Sequence, residues 1–223
     1  MIHCIGDSHA SIFSGLGTRE ETYMIQIYPQ EHIGIDPDFK AYRIGPATAY
    51  NLLDKFHIIN EIIFKNFKED RGDKVMFCFG EIDMRIHVGT QLKNHPSKTK
   101  DEIIEEIADR YFFAITEMKI QSYNIIILAP SVQSFWNENS DHKKDGFHYN
   151  MEFPIVGTNK ERNEYTKIFT NLLIEKAKRY YNTIKVISIL DEMLDENGET
   201  KPDLFMDYLH LSAKVLSLIK SKI

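Results

Sequence analysis

The chain opens Met1-Ile2-His3-Cys4-Ile5-Gly6-Asp7-Ser8-His9, and how this stretch is read decides the fold. Residues 2–5 are too few for a helix and apolar enough for a buried strand. Gly6 permits a sharp exit from it. Asp7 and Ser8 are N-capping types, so a short helix is expected to start here and run to Ser14. A serine between a strand's C-terminal end and a helix start faces the crevice where open α/β sheets bind ligands. The free N–H groups of such a turn can hold an oxyanion. The plain alternative is that Ser8 only caps the helix.

Working outward, Tyr23–Tyr28 reads as a second strand, closed by Pro29. Residues 29–46 carry Pro29, Pro37 and Pro46 in irregular sequence and read as a loop. Gly45-Pro46 is a turn, after which helical spacing is expected to about Phe67. Lys74–Phe79 is apolar at nearly every position, as in a parallel strand covered on both faces. It ends in Gly80-Glu81-Ile82-Asp83-Met84-Arg85, followed by a polar loop containing Pro96. Ile103, Ile104, Ile107, Tyr111, Phe112 and Ile115 repeat at helical spacing within 101–121. Asn124–Ala129 is a further buried strand, and residues 131–160 form a long aromatic and polar loop. A helix over 159–181, a strand over 183–190 and a helix over 211–223 complete the alternation. Strand and helix in turn predict a single three-layer α/β/α domain spanning 1–223, with about five parallel strands in a doubly wound sheet.

Composition narrows the partners. A formal charge of −6 argues against a nucleic-acid footprint, which would be basic and clustered. No apolar run reaches the ~20 residues needed to span a bilayer, and no basic-then-apolar leader precedes the first strand, so a cytoplasmic location is expected. Cys4 and Cys78 lie inside strand-like runs and are expected as buried, reduced thiols. His3 points into the first strand's interior, and His57, His87, His142 and His148 read as ordinary surface or core groups. Oligomeric state is not readable.

The far end of the chain supplies a partner for Ser8. Asp207-Tyr208-Leu209-His210 places a carboxylate and an imidazole three apart on a turn before the last helix. A serine is a poor nucleophile without a positioned base, and the base needs an orienting group. Ser8, His210 and Asp207 fill these roles.

These blocks together resemble the SGNH, or GDSL-like, hydrolase family. Gly6-Asp7-Ser8 resembles its first block and Gly45 stands where the second-block glycine would. Gly80-Glu81-Ile82-Asp83 resembles the third, Gly-x-Asn-Asp, and Asp207-x-x-His210 the fifth. Asp195–Glu199 resembles the turn that precedes it. The resemblance implies a flavodoxin-like SGNH fold, no cofactor and no metal. It implies an ester hydrolase in which Ser8 attacks the acyl carbon, His210 takes the proton and Asp207 orients the imidazole. The oxyanion would lie against the N–H groups of Ser8 and Gly45. Here the chain departs from the pattern, because Ile82 replaces the third-block asparagine and donates nothing. Losing one such donor costs about 10²–10³ in rate. Arg85 and the backbone around Gly80 and Glu81 are the candidates to replace it, and His9 to contact substrate; otherwise Glu81, Asp83 and Arg85 form a local salt-bridged loop.

The expected substrate is a small-molecule or glycan ester, with an O-acetylated carbohydrate favoured by the aromatic, polar loop at 131–160. An O-acyltransferase of cell-surface glycan synthesis would use the same acyl-enzyme. A binding module that has lost catalysis is the alternative that Ile82 favours. Asp7-x-His9 also resembles the start of metallophosphoesterases, but the Gly-His-x-His string that family needs is missing.

Overall fold

A computed structural model of the chain describes residues 1–14, 30–33, 36–45, 47–68, 71–118, 124–136, 155–180, 183–206 and 209–223. Its centre is β1 (Ile2–Gly6). Around it lie β2 (Gln30–Ile33), β3 (Phe39–Arg43), β4 (Lys74–Cys78), β5 (Asn124–Leu128) and β6 (Ile184–Ile187), in the order β2-β3-β1-β4-β5-β6. The last five of that order run parallel, and β2 joins β3 antiparallel as an edge. Ile5 sits opposite Tyr42 and Phe77, whereas Cys4 sits opposite Ala41 and Met76. The period of two sends these rows to opposite faces, each covered by its own helical layer.

One layer packs on Ile5, Phe77 and Ile127. It consists of α1 (Phe56–Asn66), α3 (Lys100–Glu117) and α4 (Asn159–Ala177). The other packs on Cys4, Met76 and Ile126. It consists of the 3₁₀ helix Ser8–Ser14, α5 (Leu190–Met193) and α6 (Leu216–Lys222). Between α1 and α3, a π-helical turn, Asp83–His87, runs into α2 (Val88–Asn94). Both long helices start on capping boxes, Thr99 with Glu102 and Thr158 with Glu161, which satisfy the first free N–H groups.

The three-layer doubly wound sheet expected from the alternation is the fold observed, with one antiparallel edge strand added. Four local expectations fail. The loop expected over 29–46 contains β2 and β3: Phe39, Ala41 and Tyr42 are buried, so the segment lines β1 despite its prolines. The helix expected from residue 47 reaches regular α geometry only at Phe56, after a 3₁₀ turn at Leu52–Lys55. The polar loop expected after Arg85 is helical as far as Asn94, continuing a helical turn that starts at Glu81 and buries Asp83, Met84, Arg85 and Ile86 together. The last helix begins at Leu216 rather than 211. The strand expected over 23–28 and most of the 131–160 loop, including His142 and His148, lie outside the described residues. Cys4 and Cys78 are free and buried, and burial pushes both thiols well up. Among the described residues no helix is long and apolar enough to cross a membrane.

Candidate active site

The C-terminal ends of β1, β3 and β4 carry the polar residues singled out in the sequence. β1 ends at Gly6, and Ile44 N–H donates to the Gly6 carbonyl at 2.9 Å, joining the two strand ends. Gly45 follows at φ 79, a left-handed conformation that glycine adopts without strain. The Asp7 carboxylate Oδ1 accepts the His9 N–H at 2.8 Å, closing the tight turn that presents Ser8. The imidazole expected as the base arrives from the other end of the chain. Phe205 and Leu211 form an antiparallel bridge and Met206 N–H donates to the His210 carbonyl at 2.9 Å, so the segment folds back on itself. The result is 3.0 Å between Ser8 Oγ and His210 Nε2, across 202 positions of sequence. With Nε2 unprotonated, the hydroxyl donates to it, and the imidazole can withdraw the proton as the oxygen attacks. Asp207 lies outside the described residues.

Beside this pair sits a buried cluster of charge. Arg85 Nε donates to Glu81 Oε1 at 2.8 Å, and His9 Nε2 stands 2.9 Å from Glu81 Oε2 at an angle too poor for a hydrogen bond. The rings of His9 and His210 are 5.2 Å apart. Burial opposes the charge on Glu81, yet Arg85 and then His9 overcome it and hold the carboxyl well below the usual range. Burial would also strip the His9 proton, but Glu81 and Asp7 outweigh it and raise the imidazole above its ordinary value. Burial raises the Asp7 carboxyl to about 6, and its Oδ2 has no hydrogen-bond partner. The metallophosphoesterase-like Asp7-x-His9 pair is therefore turned to separate partners, Asp7 to the main chain and His9 to Glu81.

Gly80 makes the approach of Glu81 possible. Its φ is 109, and a Cβ there would stand 2.8 Å from Phe169 and Pro130. Ile82, in the third-block asparagine's place, is partly exposed. Asp83 serves structure: fully buried, it accepts the Ala49 and Tyr50 N–H groups at 2.7 and 3.2 Å and fixes the segment after Gly45. Of the three residues expected to form a salt-bridged loop, Glu81 and Arg85 pair, on a helical turn, while Asp83 bonds the main chain instead.

Sequence reasoning missed a second polar assembly. Asn159, Arg162, Asn163, Thr166 and Thr170 occupy one face of α4 and are buried. Asn159 donates to the Gln133 and Ser134 carbonyls at 3.1 and 2.7 Å, and Thr200 Oγ1 donates to Gln133 O at 2.7 Å. Arg162 donates to the carbonyls of Gly157 (2.7 Å), Ser134 (2.8 Å) and Trp136. Burial lowers its guanidinium to about 10. The signal was available as a helical repeat of polar residues, at spacings usually searched only for apolar ones.

One cavity adjoins the site and a larger one lies apart from it. One of about 30 Å³ is bordered by Asp7 and His9, which flank Ser8, and by Leu211, next to His210, with Ile12, Leu128 and Ala129 as apolar wall. The other, about 370 Å³, lies beyond Asp83 and is lined by Tyr50, His87, Gln91, His95, Lys98 and Glu106.

No protein-family profile matches the sequence, and no curated protein sequence does. Solved structures do. A proposed platelet activating factor of Streptococcus pneumonia aligns over 100% of this chain and 83% of its own, at 17% identity and TM-score 0.56. A catalytic mutant of Axe2, an acetylxylan esterase from Geobacillus stearothermophilus, aligns over 99% and 90%, at 14% identity and TM-score 0.52. A proposed acylhydrolase of Bacteroides fragilis aligns over 99% and 83%, at 12% identity and TM-score 0.51. At these identities the likeness concerns the fold, and the chain has the SGNH/GDSL-like hydrolase fold.

Proposed function

We propose that the protein is a serine-dependent ester hydrolase that works through an acyl-enzyme and removes an acetyl group from an O-acylated carbohydrate. The observation that carries this reading is the 3.0 Å contact between Ser8 Oγ and His210 Nε2 at the ligand-binding end of a parallel sheet. Ser8 adds to the ester carbonyl as His210 takes its proton; His210 then protonates the departing alcohol. Water, deprotonated by the same imidazole, releases the acid and restores Ser8. Asp207 is assigned the orienting role. The Ser8 and Gly45 N–H groups are assigned to the oxyanion, with Arg85 in place of the third-block asparagine.

The smaller cavity supports a short acyl group, since about 30 Å³ accommodates a methyl and little more. The fold of an acetylxylan esterase is consistent with this reading. Ile82 favours the second reading, a binding module with weak catalysis. Turnover of p-nitrophenyl acetate, butyrate and octanoate by the wild type and Ser8→Ala separates them. The hydrolase reading expects acetate to be preferred and Ser8→Ala to lose at least ~10³ in kcat. Equal activity in Ser8→Ala, or no labelling of Ser8 by a fluorophosphonate, would leave only the binder.

A further inference from the structure

We propose that Glu81 holds His9 as the imidazolium, and that this fixed positive charge beside His210 keeps the base neutral into mildly acidic solution. His9 is on this account a positioning residue, electrostatic rather than reactive, and the inference rests on Ser8 and His210 being the nucleophile and base.

The geometry leaves His9 one role. Its ring, 13% exposed, lies between an acid and an imidazole: Glu81 Oε2 stands 2.9 Å from Nε2, and the His210 ring centre is 5.2 Å away. A buried imidazole beside a carboxylate that cannot take up a proton keeps its own. Glu81 cannot take it up readily, because Arg85 engages its other oxygen at 2.8 Å and Arg162 adds positive potential from α4. The groups that face His9 are therefore Asp7 from the end of β1, Glu81 and Arg85 from the helical turn after β4, and His210 from the C-terminal segment. The first three and His9 itself make two cations and two carboxylates, balanced while Asp7 is ionised.

Acidification upsets that balance in one direction. Glu81 stays ionised, while Asp7 takes up a proton near pH 6. The cluster then gains net positive charge in the range where an ordinary histidine would protonate. Two imidazolium rings 5.2 Å apart repel, so the second proton is resisted at His210, whose Nε2 faces the Ser8 hydroxyl at 3.0 Å. The arrangement also gives Glu81 and Arg85 a purpose on either side of Ile82, the position that resembles the third-block asparagine.

The test is the pH dependence of kcat/KM for p-nitrophenyl acetate, which reports the free enzyme's base. In His9→Gln the positive charge goes and Glu81 remains, so the acid limb should move to higher pH by about half to one pH unit. A limb that stays in place, or moves to lower pH, overturns the proposal. Nitrogen-15 spectra of the wild-type imidazole rings decide the matter should His9→Gln fold poorly. At pH 7 the His9 ring should carry both protons and the His210 ring one; the reverse assignment overturns it. Undiminished turnover in Ser8→Ala would instead refute the underlying site, without touching the ring assignments.

Discussion

The strand at the centre of the sheet has a histidine–carboxylate pair at each end, and the two behave in opposite ways. At the bottom, His3 is 3% exposed, with Nδ1 3.0 Å from the Tyr42 hydroxyl and Nε2 3.3 Å from Asp73. Asp73 is shared, also taking the Met1 ammonium at 3.3 Å and the Lys68 N–H at 3.0 Å. Burial therefore wins at His3, with Lys40 and the N-terminal ammonium adding to it, and the imidazole is lowered. At the top, His9 has Glu81 and Asp7 against a single opposing guanidinium, and is raised. The bottom pair distributes its bonds until each group is held, whereas the top cluster leaves a buried Asp7 oxygen without a partner. In a parallel sheet the connections below the strands hold the fold together and those above them are open to chemistry.

The sharpest way to break this contrast is at Arg85. If the guanidinium supplies the missing oxyanion donor, Arg85→Ala should lower kcat by about 10²-fold with little change in KM. Unchanged turnover would remove it from the site and leave it a partner of Glu81 alone. At the bottom, Asp73→Ala should destabilise the protein by about 3 kcal/mol, because it strands His3, the Lys68 N–H and the terminal ammonium. Denaturant midpoints measure this, and kcat should stay within twofold. A large rate loss with intact stability would erase the division between the two ends.

The smallest effect falls on Asp7. Its folded value, about 6, lies above the unfolded carboxylate value of 3.8, so the folded chain retains a proton that the unfolded chain has lost. Stability then falls as pH rises through that window. Asp7→Asn escapes the penalty and should be more stable than wild type by about 2–3 kcal/mol above pH 6, with the gain gone below pH 4. Thermal melts across pH 3–8 read it directly.

What the sequence disclosed follows the same division. β1, β4 and β5 announced themselves as short, continuously apolar runs ending in glycine or proline, and α3 by its repeat of isoleucines. Ser8 and His210, distant in the chain, were legible because each sits on a turn whose residue types have few other uses. β3 was hidden because Lys40 and Arg43 interrupt a strand only five residues long, flanked by prolines. The helical turn after Gly80 was hidden because three charged residues in five read as solvated, although Asp83 and Arg85 are buried by pairing. The inner face of α4 escaped for the same reason. Burial of polar groups is decided by partners far off in sequence, and local patterns do not register them.

That inner face has a consequence for how the protein could change over time. Arg162 grips the main chain at Ser134 and Trp136 on one side, and at Val156 and Gly157 on the other. The strand of chain that leaves at 136 and returns at 155 is thus clasped at both ends by one side chain. Whatever joins those two points can be lengthened, shortened or exchanged at the modest entropic expense of a longer closed loop. Its length could change, lineage by lineage, while the sheet, the serine and the imidazole stay where they are.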